Sequence, residues 1–136
     1  MHDNWDDNII LDSRFEANTD AVSAPVSVTR TFRMNRQAAN PLEGAAVLAE
    51  WDPREDRLVV YSASQIPHIL KNALCECLGL RQNQVRVVAP DVGGGFGYKC
   101  VLLPEEIYIP WVATQVKRPV RWIQDRREHL VTAANA

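Results

Sequence analysis

The sequence predicts an α+β domain, a mostly antiparallel sheet covered by two main helices. Two observations carry that expectation. Strand-like segments lie on both sides of QIPHILKNALCECLGL, which repeats apolar residues at i, i+3, i+4 and i+7. A second helical stretch, 104–116, follows a glycine-rich loop and leads into another strand-like run.

In chain order, residues 1–25 form an acidic arm. Asp3, Asp6, Asp7, Asp12, Glu16 and Asp20 face one base, Arg14. Residues 26–136 are expected to be the folded domain. From Val26 to Arg33, Val26, Val28, Arg30 and Phe32 alternate with Ser27, Thr29, Thr31 and Arg33, the pattern of a half-buried strand. Asn40-Pro41-Leu42-Glu43-Gly44 reads as a turn. Ala45 to Trp51 and Leu58 to Ser62 flank Asp52-Pro53-Arg54-Glu55-Asp56, which predicts a hairpin. In the helix that follows, Pro67 suits the first turn and Gly79 the C-terminal cap. Gln84 to Val88 is strand-like. Pro104 to Val116 is helical, with Pro110 expected to kink or split it. Pro119 to Ile123 is the last strand, and Asp125 with Glu128 forms a capping pair for a final short helix.

Composition sets bounds on function. The 136 residues suffice for one domain with a core. A net charge of −2 gives no general basic signal for nucleic acid or an anionic membrane, and no apolar run reaches membrane-spanning length. The opening residues lack the basic and apolar regions of a signal peptide. Cys75 and Cys77 stand two apart in a helical pattern and so point to different sides. They are expected to be small packed side chains, not a disulfide or a metal pair. A cytoplasmic location is expected.

The candidate site is DVGGGFGYKC, residues 91–100, which holds Gly93, Gly94, Gly95 and Gly97 out of six glycines in the chain. A dinucleotide fingerprint fails, because the third glycine would fall at Tyr98. A P-loop fails too, because Cys100 stands where Ser or Thr is needed. Two readings stay open from the loop alone: a nest of backbone N–H groups for an anion or for oxygen atoms on a metal, and a structural turn with positive φ.

The wider pattern combines three parts. Gln65, Pro67 and His68 open a helix; Gly93-Gly94-Gly95-Phe96-Gly97-Tyr98-Lys99 follows a strand; and Arg118-Pro119-Val120-Arg121-Trp122 precedes Asp125-Arg126. From about Val28 to Ala136 this resembles the large, molybdenum-cofactor-binding subunit of the molybdenum hydroxylases: xanthine dehydrogenase, aldehyde oxidase and aerobic carbon monoxide dehydrogenase. The first 25 residues match less clearly.

The resemblance implies one repeat of the molybdenum–molybdopterin-binding region of an oxidoreductase. It places Gly94, Gly95, Phe96 and Gly97 beside the cofactor. Phe96 would contribute a backbone contact at the metal, and Gln65 a side-chain amide beside a metal oxygen ligand. Without the resemblance, Gln65 would be read as a helix cap and Phe96 as a core anchor. Lys99 is read as solvated or ion-paired, His68 as non-catalytic, and Arg126 and Arg127 as packing or subunit contacts. Cys100 stands where the purine-oxidising branch has a substrate-facing glutamate; its plainer reading is a small thiol packed at a helix start.

No catalytic residue is assigned, because the family's hydroxylation base, a glutamate far downstream, has no counterpart here. The expected partners are the remaining parts of a longer large subunit or further copies of the chain. Iron–sulfur and flavin subunits would complete a full enzyme. The chain alone is expected to be inactive, and a non-catalytic binding or oligomerisation domain is the alternative.

Overall fold

A computed structural model describes residues 13–14, 25–26, 28–35 and 37–132. The chain divides into two compact units, Met1–Arg33 and Met34–Ala136. Most of the acidic arm lies outside the described residues.

In the first unit, residues 28–33 form no strand, against expectation. Val26, Val28 and Phe32 are all largely exposed. Alternation alone does not make a strand: the backbone needs a ladder partner, and among the described residues this segment has none.

The second unit is α+β. The hairpin forms as expected from β1 (Ala46–Asp52) and β2 (Arg57–Ser62), antiparallel, with Ala49 opposite Val60. The Asp52 carboxylate accepts the Arg54 N–H at 2.8 Å and so shapes the tight connection. Helix α1 (Pro67–Leu78) starts on a proline and ends at Gly79, whose φ of 65° supplies the left-handed cap. It leads to β3 (Val85–Val88), which pairs parallel to β2. Helix α2 (Pro104–Val116) returns the chain to β4 (Val120–Ile123), antiparallel to β1. The sheet order is β3-β2-β1-β4, two antiparallel pairings and one parallel.

The inner sheet face buries Val47, Ala49, Leu58, Val60 and Val85 against Leu70, Leu74 and Cys75 of α1 and Ala113 of α2. The apolar stripe of α1 is narrower than its sequence suggests. Cys75 faces the core, whereas Cys77 and Ile69 are exposed. Pro110 does not split α2, which runs unbroken around it. Its ring is fully buried, and that packing offsets the hydrogen bond it removes. No described helix is long and apolar enough to cross a membrane.

Glu106 locks α2 to the sheet. Its buried carboxylate accepts the Leu103 N–H at 3.0 Å, capping the helix, and the Ser62 hydroxyl at 2.6 Å. The final helix α3 (Arg126–Thr132) starts as the sequence indicates, with the Glu128 N–H donating to the Asp125 carboxylate at 2.7 Å.

Candidate functional site

The glycine loop leaves the end of β3 and meets the start of α1. Four glycines give it no stiffness of its own, so its shape comes from what grips it. Gly94 and Gly97 take φ of 102° and 81°, and Phe96, unusually for a side chain of its size, 50°.

Gln65 and Gly95 are brought together. A Cβ built on Gly95 would fall 2.2 Å from the Gln65 side-chain carbon and oxygen. Only glycine lets the amide lie across the loop. The Gln65 backbone N–H donates to the Lys99 carbonyl at 3.0 Å, which ties the two motifs in register. Gln65 is not a helix cap: the residue before α1 is Ile66, and no side chain caps it.

The N–H groups of Gly94, Gly95, Phe96 and Gly97 donate to no acceptor among the described residues, whereas Tyr98 N–H bonds back to Gly95 and Cys100 N–H to Gly97. An exposed amide and a run of free N–H groups therefore share one small region. That is a donor set suited to oxygen atoms carrying negative charge.

Phe96 is no core anchor. It is 74% exposed and borders a cavity of about 370 Å³ lined by Gln37, Ala38, Ala39 and Asn40. Its backbone is turned into the left-handed region, which swings the ring off the packed surface. Cys100 is exposed too, not packed at a helix start.

The turn opposite the loop holds the residue that sequence reasoning missed. The Glu43 carboxylate accepts the Gly93 N–H at 2.7 Å and the Lys99 ammonium at 2.6 Å. Lys99 is thus ion-paired, as one of its two readings had it, but its side chain is only 1% exposed, so it is not solvated. Burial pushes the Glu43 carboxyl up, yet the hydrogen bonds from Lys99 and Gly93 and the Lys99 charge outweigh it. The carboxyl is held below its usual value. Lys99, a charge closing a glycine-rich loop, was the available sequence signal for an acidic partner.

A buried polar network backs the same turn. The Gln124 side-chain oxygen accepts the Ala45 N–H at 3.2 Å, and its amide donates to the Tyr98 hydroxyl at 2.9 Å. His129, fully buried, stands edge-on to Tyr98 with ring centroids 4.7 Å apart and lies 2.9 Å from the Ala39 carbonyl. Arg126 donates to the Asn40 side chain and to the Pro41 and Leu42 carbonyls. Its role is to hold the turn. His68 lies apart, exposed on α1 beside a separate groove shared with Lys71 and Arg86.

The molybdopterin cofactor-binding domain family matches residues 1–136. The chain belongs to that family. The match takes in residues 1–25, which the motifs alone had left aside. Among curated relatives of the family, the nicotine 6-hydroxylase large subunit of Paenarthrobacter nicotinovorans is 38% identical over 109 residues, 80% of this chain and 13% of the relative. The carbon monoxide dehydrogenase large chain of Hydrogenophaga pseudoflava is 37% identical over 123 residues, 89% of this chain and 15% of the relative. Quinoline 2-oxidoreductase from Pseudomonas putida 86 shares the fold at a TM-score of 0.71 and 34% identity, over 74% of this chain and 13% of that one. The chain therefore spans about one seventh of the curated relatives it matches.

The donor set fits the family's cofactor. Among the described residues no three His, Cys, Asp or Glu side chains converge to hold a metal ion. What the loop offers is N–H donors and one amide, which suit a group that carries its own metal ligands and presents oxygen atoms to the protein.

Proposed function

We propose that this chain is the segment of a molybdenum hydroxylase large subunit that contacts the molybdenum–molybdopterin cofactor through Gln65 and the Gly94–Gly97 loop. Gln65 would donate its amide to an oxygen on the metal. The backbone of Gly94, Gly95, Phe96 and Gly97 would hold the cofactor's polar edge, with Phe96 nearest the metal. When bound, the cofactor would supply two-electron oxidation and hydroxylation of a small substrate. The observation that carries the reading is the Gln65 amide laid across Gly95, with four N–H groups beside it that are free among the described residues.

The substrate class follows from Cys100. A purine's polar edge calls for hydrogen-bonding partners, and a thiol is a weak donor and a weak acceptor. Heteroaromatic rings, aldehydes or carbon monoxide suit this loop better than purines. Similarity to proteins named for nicotine, carbon monoxide and quinoline, at 34–38% identity, against 32% to a probable hypoxanthine oxidase, supports that order.

The rest of a large subunit, with iron–sulfur and flavin partners, would supply the hydroxylation base and the electron route, so the isolated chain does not turn over. Its cover is the remaining subunit or another copy of the chain, because Tyr108, Trp111 and Val116 on α2 and Leu48, Tyr61 and Ile123 on the outer sheet face are exposed. The three free cysteines agree with a reducing cytoplasm.

Molybdenum and pterin content of the purified protein tests the reading. Near-stoichiometric loading that falls in Gln65→Ala supports it. A folded protein expressed with cofactor supply yet free of both would instead make it a binding or oligomerisation domain. Oxidation of nicotine, quinoline or xanthine by the chain alone would overturn its dependence on partners.

A further inference from the structure

We propose that Glu43 is a positioning residue for the glycine loop: through one carboxylate oxygen it grips both ends of the loop and so sets the Gln65 amide against Gly95. The inference rests on the cofactor reading above for its purpose, not for its geometry.

The geometry is a closed circuit. Glu43 Oε2 accepts from Gly93 N–H at the loop's entry, at 2.7 Å, and from Lys99 Nζ at its exit, at 2.6 Å. The Glu43 N–H returns a bond to the Gly93 carbonyl at 3.2 Å, and the Lys99 carbonyl accepts Gln65 N–H at 3.0 Å. Entry, exit and Gln65 are thereby referred to one oxygen atom.

Between the two grips lie Gly94, Gly95, Phe96, Gly97 and Tyr98. The first four have free N–H groups among the described residues, and the backbone of the three glycines has little intrinsic preference. Bonds inside the loop would use up the donors a ligand needs. Fixing it from outside keeps them available. A single carboxylate achieves this because it has several acceptor sites. The buried ammonium of Lys99 fixes the carboxylate in turn, since a desolvated cation strongly disfavours losing its partner.

A purely structural ion pair would need only opposite charges at positions 43 and 99. The positioning role also needs an acceptor at 43 for Gly93 N–H. The exchanged pair, Glu43→Lys with Lys99→Glu, separates the two roles. On the purified chain, amide hydrogen exchange would be measured for Gln65, Tyr98 and Cys100 and for β2. The exchanged pair is expected to keep β2 protection while exchange at Gln65, Tyr98 and Cys100, whose N–H groups bond to the loop, rises roughly tenfold. Unchanged exchange at these three amides would overturn the proposal.

Should the exchanged pair fail to fold, Glu43→Gln carries the test. Its amide oxygen still accepts from Gly93, so the loop should loosen less than in Glu43→Ala. Equal loosening in both would refute the role. Pterin content of the same variants separates this inference from the reading beneath it. A loosened loop with undiminished pterin defeats the cofactor reading and leaves the positioning role standing. Lost pterin with an unmoved loop defeats the positioning role.

Discussion

The inner sheet face and the glycine loop are held by different physics. Leu58, Leu70 and Leu74 are wholly buried, and the face they form depends on apolar area and close packing. The loop buries little apolar surface. It depends on a few polar grips from the Glu43 turn and on glycines that let Gln65 and Pro41 come near. The first region tolerates chemical variation that conserves volume. The second tolerates bulk poorly at single positions and contributes little to global stability. The fold and the site should therefore be breakable one at a time.

The largest effect should come from the core. Leu74→Ala removes a fully buried side chain and should cost about 2–5 kcal/mol, read as a fall in the urea midpoint with loss of both regions together. Glu106→Ala comes next. It leaves the Ser62 hydroxyl and the Leu103 N–H without their acceptor, at about 1–3 kcal/mol for each buried group. If its midpoint matched the wild type, the carboxylate would not be the lock between α2 and the sheet.

Gly95→Ala should separate the two regions most cleanly. The added methyl would fall 2.2 Å from the Gln65 side chain, which is flexible and exposed and can swing away. Stability should change by less than about 1 kcal/mol. Cofactor affinity should fall roughly tenfold, the worth of one charge-assisted hydrogen bond. A large loss of stability with cofactor retained would invert the contrast.

Acid should act on the loop before the core. Because the Glu43 carboxyl is held below its ordinary value of 4.5, its contribution is present in full above that value. The contribution is lost as pH falls through the lower folded value. Protection at Gln65, Tyr98 and Cys100, referred to the intrinsic exchange rate at each pH, should fall in that acid range while that of β2 holds. Removing Lys99's charge with Lys99→Met should abolish the difference. The smallest effect is expected at Cys100, which is exposed. Cys100→Glu should change stability by no more than about 0.5 kcal/mol in urea unfolding, and any change in substrate preference of a full subunit would then be chemical, not structural.

Much of the architecture was legible because it is local. The hairpin, α1 with its Gly79 cap, and α2 from Pro104 all follow from spacing and end signals within a few residues. Val26 to Arg33 misled because alternation says nothing about whether a neighbouring strand exists. Pro110 misled because burial of its ring is a tertiary fact. The pairing of Gln65 with the loop could be read only through a family resemblance, since the two motifs lie some thirty residues apart. Lys99 signalled an acidic partner, but nothing in the sequence singled out Glu43 as that partner. It sits in a turn 56 residues before Lys99, and its value appears only when the sheet brings that turn to the loop.

The place of β4 bears on how the protein is made. It pairs Ile123 with Ala46 across the whole domain, and just beyond it Gln124 and Arg126 fasten residues 40–45. A chain emerging from the ribosome can close the β1–β2 hairpin and wind α1 early, because those contacts are local. The turn that carries Glu43 stays unanchored until residues 120–132 have emerged. Until then the glycine loop has nothing to be gripped by, so residues up to about 132 must be synthesised before the loop can take its final shape.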